Sequence, residues 1–586
     1  MGWRILLIVV SVLMAAVLEL GKHTLWGWAL AAALLLCFGV GRHFRMLPVG
    51  GWKGMLCWCA LLALLAGTLA LSWPPMKPIP AVSGKGAVET ETIHTSVGDV
   101  SGLRTADGAV EVFAGIPYAK PPVGELRWRE PQPVEPWQGV LKADHFAPMS
   151  MQTRNLPIYS SLAQIIGYHD YQIQLGDEFR EPVSEDSLYL NIWRPAGGGE
   201  KLPVLVYIHG GSLQTGQPSY ADYSGMGLAR EGVLVVNMGY RLGIFGFFAD
   251  EELAQESPNG TTGNYGLLDQ ICALEWVRDH IAAFGGDPEN VTIAGESAGS
   301  ACVTALCTSP LAKGLFRRAI GESSTVTAKA PAHSFRSLED AYAAGRATKD
   351  KFNAQDIADL RALPAEKLVG ELATHHHITV DGYVLPQTPY ESYQQGQFNE
   401  EAQLHGFNRE EAAPFILFGQ ANAKNYEEKV RAYFGSHADR VLALYPGETD
   451  DQAKRNWADI YTVALFTYGH YNWEQQAIAN GIPSYVYHFT KSNGRLGSWH
   501  SGEEVYFYGN IPENSKLYDA KDRELSRVMK SYFVNFIKNG DPNGEGLPAW
   551  PQGTGEGVMT FGDEVSWQTA PYQELNQILD EMFGAV

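Results

Sequence analysis

The first 75 residues alternate between long apolar runs and short polar breaks. Apolar side chains dominate residues 5–20, 25–40 and 55–73, and Glu19 is the one acidic residue within these runs. A helix needs about 20 apolar residues to cross a bilayer, and each run comes close to that length. A secretory signal peptide would instead show one apolar core followed by a cleavage site. The pattern therefore predicts three transmembrane helices, with the first two joined by a hairpin turn at 21–24.

Lysine and arginine residues around these helices predict their orientation. At one end lie Arg4, Arg42, Arg45 and Lys53, and at the other end lie Lys22 and Lys77. Short loops that are rich in Lys and Arg usually stay in the cytoplasm. We therefore expect a multi-pass, membrane-anchored protein with a cytoplasmic amino terminus, whose remaining chain lies on the extracytoplasmic side.

Beyond the membrane region, 1–75, the hydrophobic pattern changes. Residues 76–92 are interpreted as a linker, because the chain from Trp73 to Gly86 is rich in proline, glycine and small side chains. Further on, Val291 and Ile293 indicate a short buried strand. A helix is predicted to begin at Ala298, with an apolar face that continues through Val303, Leu306 and Leu311.

Ser297 lies where that strand would turn into that helix, between Gly295 and Gly299. Glycine has no Cβ, so the backbone can fold tightly around the serine and turn its hydroxyl towards a cleft. The start of a helix also directs free N–H groups to the point where an oxyanion would form. The pattern therefore predicts a nucleophilic serine.

Charge and cysteine content narrow the range of partners. Residues 1–80 carry six positive charges and one negative charge, so the formal net charge of −21 for the whole chain leaves −26 for the remainder. This acidic balance disfavours nucleic acid and anionic membrane surfaces as partners of the remainder. The six cysteines have the spacing of neither a metal site nor a disulfide framework; they are Cys37, Cys57, Cys59, Cys272, Cys302 and Cys307.

Several segments resemble the signatures of the type-B carboxylesterase and cholinesterase family of α/β-hydrolases. Residues 284–299 resemble its active-site signature, and residues 185–195 resemble its second signature, with Ser187 where most members have cysteine. Further matches lie at residues 113–127, 237–246, 263–270 and 539–551. The resemblance implies one α/β-hydrolase domain over residues 93–586, with a central, mostly parallel sheet flanked by helices.

The family resemblance also bears on disulfides. Many exported animal members join the cysteine of the second signature to an earlier cysteine. Ser187 occupies the later position, and residues 148–152 contain no cysteine at the earlier one. Both partners are therefore absent together, which indicates a bacterial type of member.

A serine hydroxyl needs a base to remove its proton and an acid to orient that base. The chain has 16 histidines. His500 lies between Gly497 and Gly509 in a segment that resembles the family's loop for the catalytic histidine. The resemblance therefore implies that His500 is the base.

The acid has more than one candidate. Residues 406–412 resemble the family's block for the acid and place Glu411 at the acid position, with Glu410 for aspartate and Ala412 for glycine. We choose Glu411 and keep Glu410 and Asp381 as alternatives.

A second run offers a different alignment for the acid. It starts at Gly419, after residues 415–418, which we interpret as an apolar strand. This alignment places Lys424 at the acid position, and a lysine cannot accept the imidazole N–H. The second run is therefore rejected.

The oxyanion hole is expected at a glycine-rich turn after an early strand. Residues 204–208 are that strand, and residues 209–212 resemble the family's His-Gly-Gly-Gly turn, with Ser212 at the third glycine. The resemblance implies that Gly211, Ser212 and Ala298 supply backbone N–H groups to the oxyanion. Glu296 and Glu503 flank the candidate residues, and we interpret them as buried carboxylates that orient loops.

The resemblance implies a serine carboxylic-ester hydrolase that acts on a small-molecule ester through an acyl-enzyme, with no cofactor and no metal. A thioesterase, amidase or lactonase with the same triad is an alternative, and a catalytically inactive adhesion or scaffold homologue is a weaker one. A cholinesterase is disfavoured, because those members use a tryptophan before the second signature for cation–π binding. Residues 151–186 contain no tryptophan and have Tyr159, Tyr168 and Tyr171 instead.

Overall fold

The computed structural model describes residues 2–48, 50–153, 157–167, 180–330, 335–369, 377–417, 419–492, 494–513 and 515–584. Two compact units make up the chain. The first unit comprises Met1–Pro78 and Arg154–Pro182, and the second comprises Ile79–Thr153 and Val183–Val586. The first unit therefore includes Arg154–Pro182, which lies within the range 93–586 that the family resemblance implies for the hydrolase domain.

In its described residues, the first unit contains three long apolar helices and one short helix. They are α1 (Gly2–Leu20), α2 (Leu25–His43), α3 (Gly51–Leu71) and α4 (Pro157–Ile166). By length and composition, α1, α2 and α3 could each cross a membrane. Many of their large apolar side chains are exposed, such as Ile8, Leu36 and Leu62.

The turn between α1 and α2 lies beside the end of α3. His23 Nδ1 is 2.9 Å from Ser72 Oγ, and the N–H of Thr24 donates to the Ser72 carbonyl at 3.1 Å. A Cβ on Gly27 would lie 2.4 Å from that of Ser72, so only glycine allows this approach. The amino-terminal end of α2 therefore meets the carboxyl-terminal end of α3.

The second unit is built on strands and helices in alternation. The strands are β1 (Val88–Glu89), β2 (Ile93–Thr95), β3 (Gly98–Ser101), β4 (Leu103–Arg104), β5 (Val110–Pro117), β6 (Val140–Lys142), β7 (Met149–Ser150), β8 (Val183–Ser184), β9 (Tyr189–Pro195), β10 (Leu202–Ile208), β11 (Leu234–Met238), β12 (Gly286–Glu296), β13 (Arg318–Glu322), β14 (Phe335–Ser337), β15 (Ile378–Val380), β16 (Ala402–Asn408), β17 (Ser484–Phe489), β18 (Gly557–Phe561) and β19 (Val565–Thr569).

The helices of this unit are α5 (Met226–Ala229), α6 (Gly243–Phe247), α7 (Glu251–Glu256), α8 (Tyr265–His280), α9 (Ala298–Thr308), α10 (Leu338–Phe352), α11 (Ile357–Arg361), α12 (Ala365–Leu368), α13 (Pro389–Gln394), α14 (Tyr426–Phe434), α15 (Ala438–Leu444), α16 (Asp450–Thr462), α17 (Tyr468–Asn480), α18 (Glu504–Phe507), α19 (Ala520–Asn539) and α20 (Gln573–Phe583). A π-helical turn, Val463–Thr467, joins α16 to α17.

Within the described part of the chain, the central sheet has twelve strands, and their order across the sheet is β1-β4-β5-β9-β11-β10-β12-β13-β16-β17-β18-β19. In this spatial order, β11, β10, β12, β13, β16, β17 and β18 pair in parallel, and antiparallel strands extend the sheet at both edges. This is the mostly parallel sheet with flanking helices that the family resemblance predicts. Parallel strands end at the same edge of a sheet, so the loops after β10, β12, β16 and β17 meet there.

Apolar cores cover both faces of the sheet, because successive side chains of a strand point to opposite faces. In β10, Val204, Val206 and Ile208 lie in one core. Leu205 and Tyr207 lie in the other. A strand buried on both faces is continuously apolar, as the sequence of β10 is.

Two local predictions are wrong. Residues 415–417 form turns rather than a strand, because the chain turns away from the sheet after β16, and Phe418 lies outside the described residues. The helix α9 ends at Thr308, and Leu311 belongs to the separate 3₁₀ turn Pro310–Ala312, where Pro310 cannot continue an α-helix.

Candidate active site

Ser297 occupies a sharp turn between β12 and α9. Its φ of 55° and ψ of −124° are unusual for a residue other than glycine. Its N–H donates to the carbonyl of Glu322 on β13 at 2.8 Å. The neighbouring strand therefore holds the backbone of Ser297 in this strained conformation.

Glycines on both sides of Ser297 make the turn possible. A Cβ on Gly295 would lie 2.5 Å from the carbonyl carbon of Gly299, and a Cβ on Gly299 would lie 2.0 Å from the Ile208 oxygen. A Cβ on Gly210 would lie 3.0 Å from that of Ser297. The end of β10 is therefore packed directly against the turn.

His500 and Glu411 form a buried pair across two loops. His500 Nδ1 lies 2.6 Å from Glu411 Oε2, and Glu411 Oε1 accepts the N–H of Asn408 at 2.7 Å. Glu411 is fully buried and His500 is 7% exposed. The loop after β16 thus supplies a carboxylate to the imidazole in the loop after β17.

The other carboxylates that the sequence offered have different partners. Glu410 accepts the N–H of Ser498 at 2.9 Å and also binds the Ser498 hydroxyl. Asp381 accepts the N–H of Leu385 at 2.9 Å within its own turn. Lys424 is exposed. Among the described residues, neither Glu410 nor Asp381 is hydrogen-bonded to an imidazole.

The far side of the imidazole faces Glu296. His500 Nε2 lies 3.2 Å from Glu296 Oε1, which also accepts the Ser501 hydroxyl at 2.6 Å. Glu296 directly precedes Ser297. This contact therefore joins the loop that carries His500, the histidine loop, to the turn at residues 295–299, the serine turn. Sequence reasoning anticipated that Glu296 is buried but missed its contact with the imidazole.

Burial and charge act in opposite directions on His500. Burial disfavours the charged imidazole, but the carboxylates of Glu296, Glu411 and Glu503 outweigh burial and raise the pKa of His500 to about 9. Burial also raises the pKa of Glu296, against the opposing effect of His500. The protonation of the imidazole therefore depends on the carboxylates around it.

A second layer of buried carboxylates supports the histidine loop. Glu503 accepts the Ser323 hydroxyl at 2.9 Å and also binds the side chain of Asn408. Burial, together with Glu411 and Glu296, raises the pKa of Glu503 to about 8. Glu503 is therefore a buried carboxyl that joins its own loop to the end of β16 and to the residue after β13, and the sequence indicated such a structural role.

The turn after β10 presents backbone N–H groups. Gly211, Ser212 and Leu213 have φ values of 106°, 57° and 59°. A Cβ on Gly211 would lie 2.1 Å from the Thr215 carbonyl oxygen. Within the described part of the chain, the N–H groups of Gly211, Ser212 and Ala298 donate to no protein acceptor. These are the three N–H groups that the family resemblance implies for the oxyanion hole.

The sequence profile of the carboxylesterase family matches residues 89–574 of this chain. The chain belongs to this family. The fumonisin B1 esterase of Sphingopyxis macrogoltabida is 32% identical over 535 residues, which cover 87% of this chain and 93% of the relative. Carboxylesterase 1C of Rattus norvegicus is 33% identical over 86% of this chain and 93% of its own length.

Solved structures agree with these relatives. The crystal structure of the Geobacillus stearothermophilus carboxylesterase EST55 at pH 6.2 has a TM-score of 0.71 and 31% sequence identity, and the match covers 83% of this chain and 100% of that chain. The protein therefore has the α/β-hydrolase fold of carboxylesterases. It is a serine carboxylic-ester hydrolase.

In this carboxylesterase two serines meet beside the second signature. Ser150 Oγ and Ser187 Oγ are hydrogen-bonded at 2.9 Å, and the Ser150 hydroxyl lies 2.6 Å from the Tyr240 carbonyl, to which it donates. Ser187 is the position where the sequence departs from most members of the family. A hydrogen bond therefore joins β7 and the start of the second signature without a disulfide.

Two aromatic rings lie next to His500, and neither ring was predicted from the sequence. The ring of Phe415 is 5.2 Å from the imidazole and that of Phe466 is 4.7 Å from it. Phe415 is 49% exposed, and Phe466 lies on the π-helical turn, an irregularity frequent at functional sites. An apolar residue four positions after the acid could have suggested Phe415, whereas no local signal marks Phe466.

Proposed function

We propose that Ser297 is the nucleophile of this esterase, His500 its general base and Glu411 the acid that orients His500. The observation that supports this most is the 2.6 Å contact between His500 Nδ1 and Glu411 Oε2, made while Nε2 faces the residue that precedes Ser297. A carboxylate on Nδ1 fixes the tautomer in which Nε2 can accept a proton.

The reaction follows from these positions. His500 Nε2 takes the proton of the Ser297 hydroxyl while Oγ attacks the ester carbonyl, and the oxyanion binds the N–H groups of Gly211, Ser212 and Ala298. The intermediate collapses to an acyl-serine, and the alcohol leaves with the proton from His500. Water then attacks the acyl group while His500 takes a proton from it, and the second tetrahedral intermediate releases the carboxylic acid as His500 gives that proton to Ser297 Oγ.

We further propose that residues 1–75 anchor the enzyme in a membrane, that residues 76–92 link this region to the hydrolase domain, and that residues 93–586 act on small-molecule esters outside the cytoplasm. Three helices of sufficient length and apolar composition support the anchor. The four basic residues at one end against two at the other support the orientation.

The test of the nucleophile compares full-length wild-type protein and Ser297→Ala on a p-nitrophenyl ester panel. We expect a loss of about 10⁶-fold in kcat, because the attacking atom is removed. Ser300→Ala, one turn along α9, is the matched control and should keep most of the activity. Retained hydrolysis in Ser297→Ala would refute the assignment. A thioester, an anilide and a lactone on the same panel separate an esterase from the alternative hydrolases.

A further inference from the structure

The helix α4 exposes three of its apolar residues and buries a polar one. Tyr159, Leu162 and Ile165 recur every third position, and they are 53%, 42% and 45% exposed. Ser161 on another face is 1% exposed. A helix that faces water would show the reverse pattern.

The helix α4 belongs to the segment Arg154–Pro182, which forms part of the first unit together with the three long apolar helices. The helix α4 packs against α1. At the other end of the segment, the N–H of Arg180 donates to the Pro75 carbonyl at 2.9 Å, and its carbonyl accepts the N–H of Lys77 at 3.1 Å. Arg180 Nε also donates to the Pro74 carbonyl at 3.1 Å.

These hydrogen bonds place Arg180 at one end of the bundle formed by α1, α2 and α3. Pro74 to Lys77 directly follow α3, which ends at Leu71. The turn between α1 and α2 lies at the same end, because His23 is bonded to Ser72 there. If α1, α2 and α3 cross a bilayer, this end lies at the bilayer surface from which the chain continues after Pro78.

We propose that α4 is a fourth membrane-contacting element, which lies on the bilayer surface with Tyr159, Leu162 and Ile165 among the lipids. This inference rests on the proposed membrane anchor. Interfacial helices bury one apolar face at the boundary between headgroups and acyl chains. The helix has no charged residue, so apolar contact drives its binding, and neutral lipids are sufficient. The hydrolase sequence is thus anchored at a second point.

The partner that covers this face is a lipid surface rather than a protein, because α4 packs against α1, whose apolar side chains are themselves exposed. On α1, Val12 and Val17 are 63% and 42% exposed. An apolar stripe on a helix that packs against a lipid-facing helix meets the same surroundings.

The test uses nitroxide labels on the full-length protein in phosphatidylcholine nanodiscs. The accessible Cys37, Cys57, Cys59 and Cys272 are replaced by alanine, while Cys302 and Cys307 stay because they are 0% exposed. Single cysteines are then introduced as Leu162→Cys, Ser160→Cys and Leu30→Cys. Ser160 is exposed on the opposite side of α4, and Leu30 is an exposed position within α2. Unchanged ester hydrolysis by each labelled protein confirms its fold.

We expect the label at position 162 to collide with oxygen several-fold more than with a water-soluble nickel complex, and the label at 160 to show the reverse. Preferential nickel access at 162, or a label there that neither reagent reaches because protein covers it, would overturn the inference. The label at 30 separates the two proposals. Oxygen access at 30 without oxygen access at 162 refutes α4 alone, whereas nickel access at 30 refutes the membrane anchor and this inference with it.

Discussion

The serine turn and the histidine loop belong to one site but are held in different ways. The turn around Ser297 is fixed by backbone contacts with Gly299, Gly210 and the carbonyl of Glu322. The loop around His500 is held by carboxylates that come from distant parts of the chain. The serine position is therefore a property of backbone packing. The charge and orientation of the imidazole depend instead on individual side chains.

Among variants of the groups that hold the serine and the histidine in place, the largest expected effect is on the carboxylate side. Glu411→Gln should lower kcat/KM by about 10³–10⁴-fold, because an amide cannot stabilise the imidazolium that forms during attack. The amide is similar in shape and can still accept the N–H of Asn408, so the apparent Tm should change little. Ester hydrolysis and thermal unfolding of the same preparation measure both quantities.

Glu410→Gln is the matched control for Glu411→Gln. Glu410 binds Ser498 in the histidine loop, and its side chain is 33% exposed. We expect a loss of less than about tenfold, since a partly exposed hydrogen bond to a loop contributes little. Equal, small losses in both variants would show that the acid lies elsewhere.

The next effect tests the backbone side. Gly299→Ala should destabilise the hydrolase by about 1–3 kcal/mol or more, because the new methyl would lie 2.0 Å from the Ile208 carbonyl oxygen. Activity should fall with it, as Ser297 is displaced. Gly419→Ala is the control, since a Cβ there meets nothing within 4 Å. Similar apparent Tm values for the two variants would contradict the packing argument.

The smallest expected effect concerns pH. Glu296 raises the pKa of His500, so Glu296→Gln should lower that pKa. The base must be neutral to accept a proton, so the acidic limb of kcat/KM against pH should move to lower pH. The charge-matched control is Glu401→Gln, whose side chain is 59% exposed. An acidic limb that stays in place or moves to higher pH would show that Glu296 does not set the charge of the imidazole.

The sequence predicts the parts of the site that depend on local patterns. A serine between two glycines after a strand is recognisable because its neighbours in sequence are also its neighbours in space. The choice of Glu411 needed the family resemblance, because Glu410 beside it has the same chemistry. The contact between Glu296 and His500, which are 204 positions apart in the chain, has no local signal. The turns at 415–417 were mistaken for a strand because a short apolar run fits several structures.

The most direct test of the account is the site and rate of phosphorylation by diethyl p-nitrophenyl phosphate, which reacts with an activated serine. Peptide fragmentation by mass spectrometry distinguishes Ser297 from Ser300 on the same peptide. We predict one diethylphosphoryl group, and we predict it on Ser297. In Glu411→Gln the group should form at least about 10³-fold more slowly than in the wild type. A group on another residue, or an equal rate in Glu411→Gln, would contradict the proposal that Ser297 is activated by His500 and Glu411.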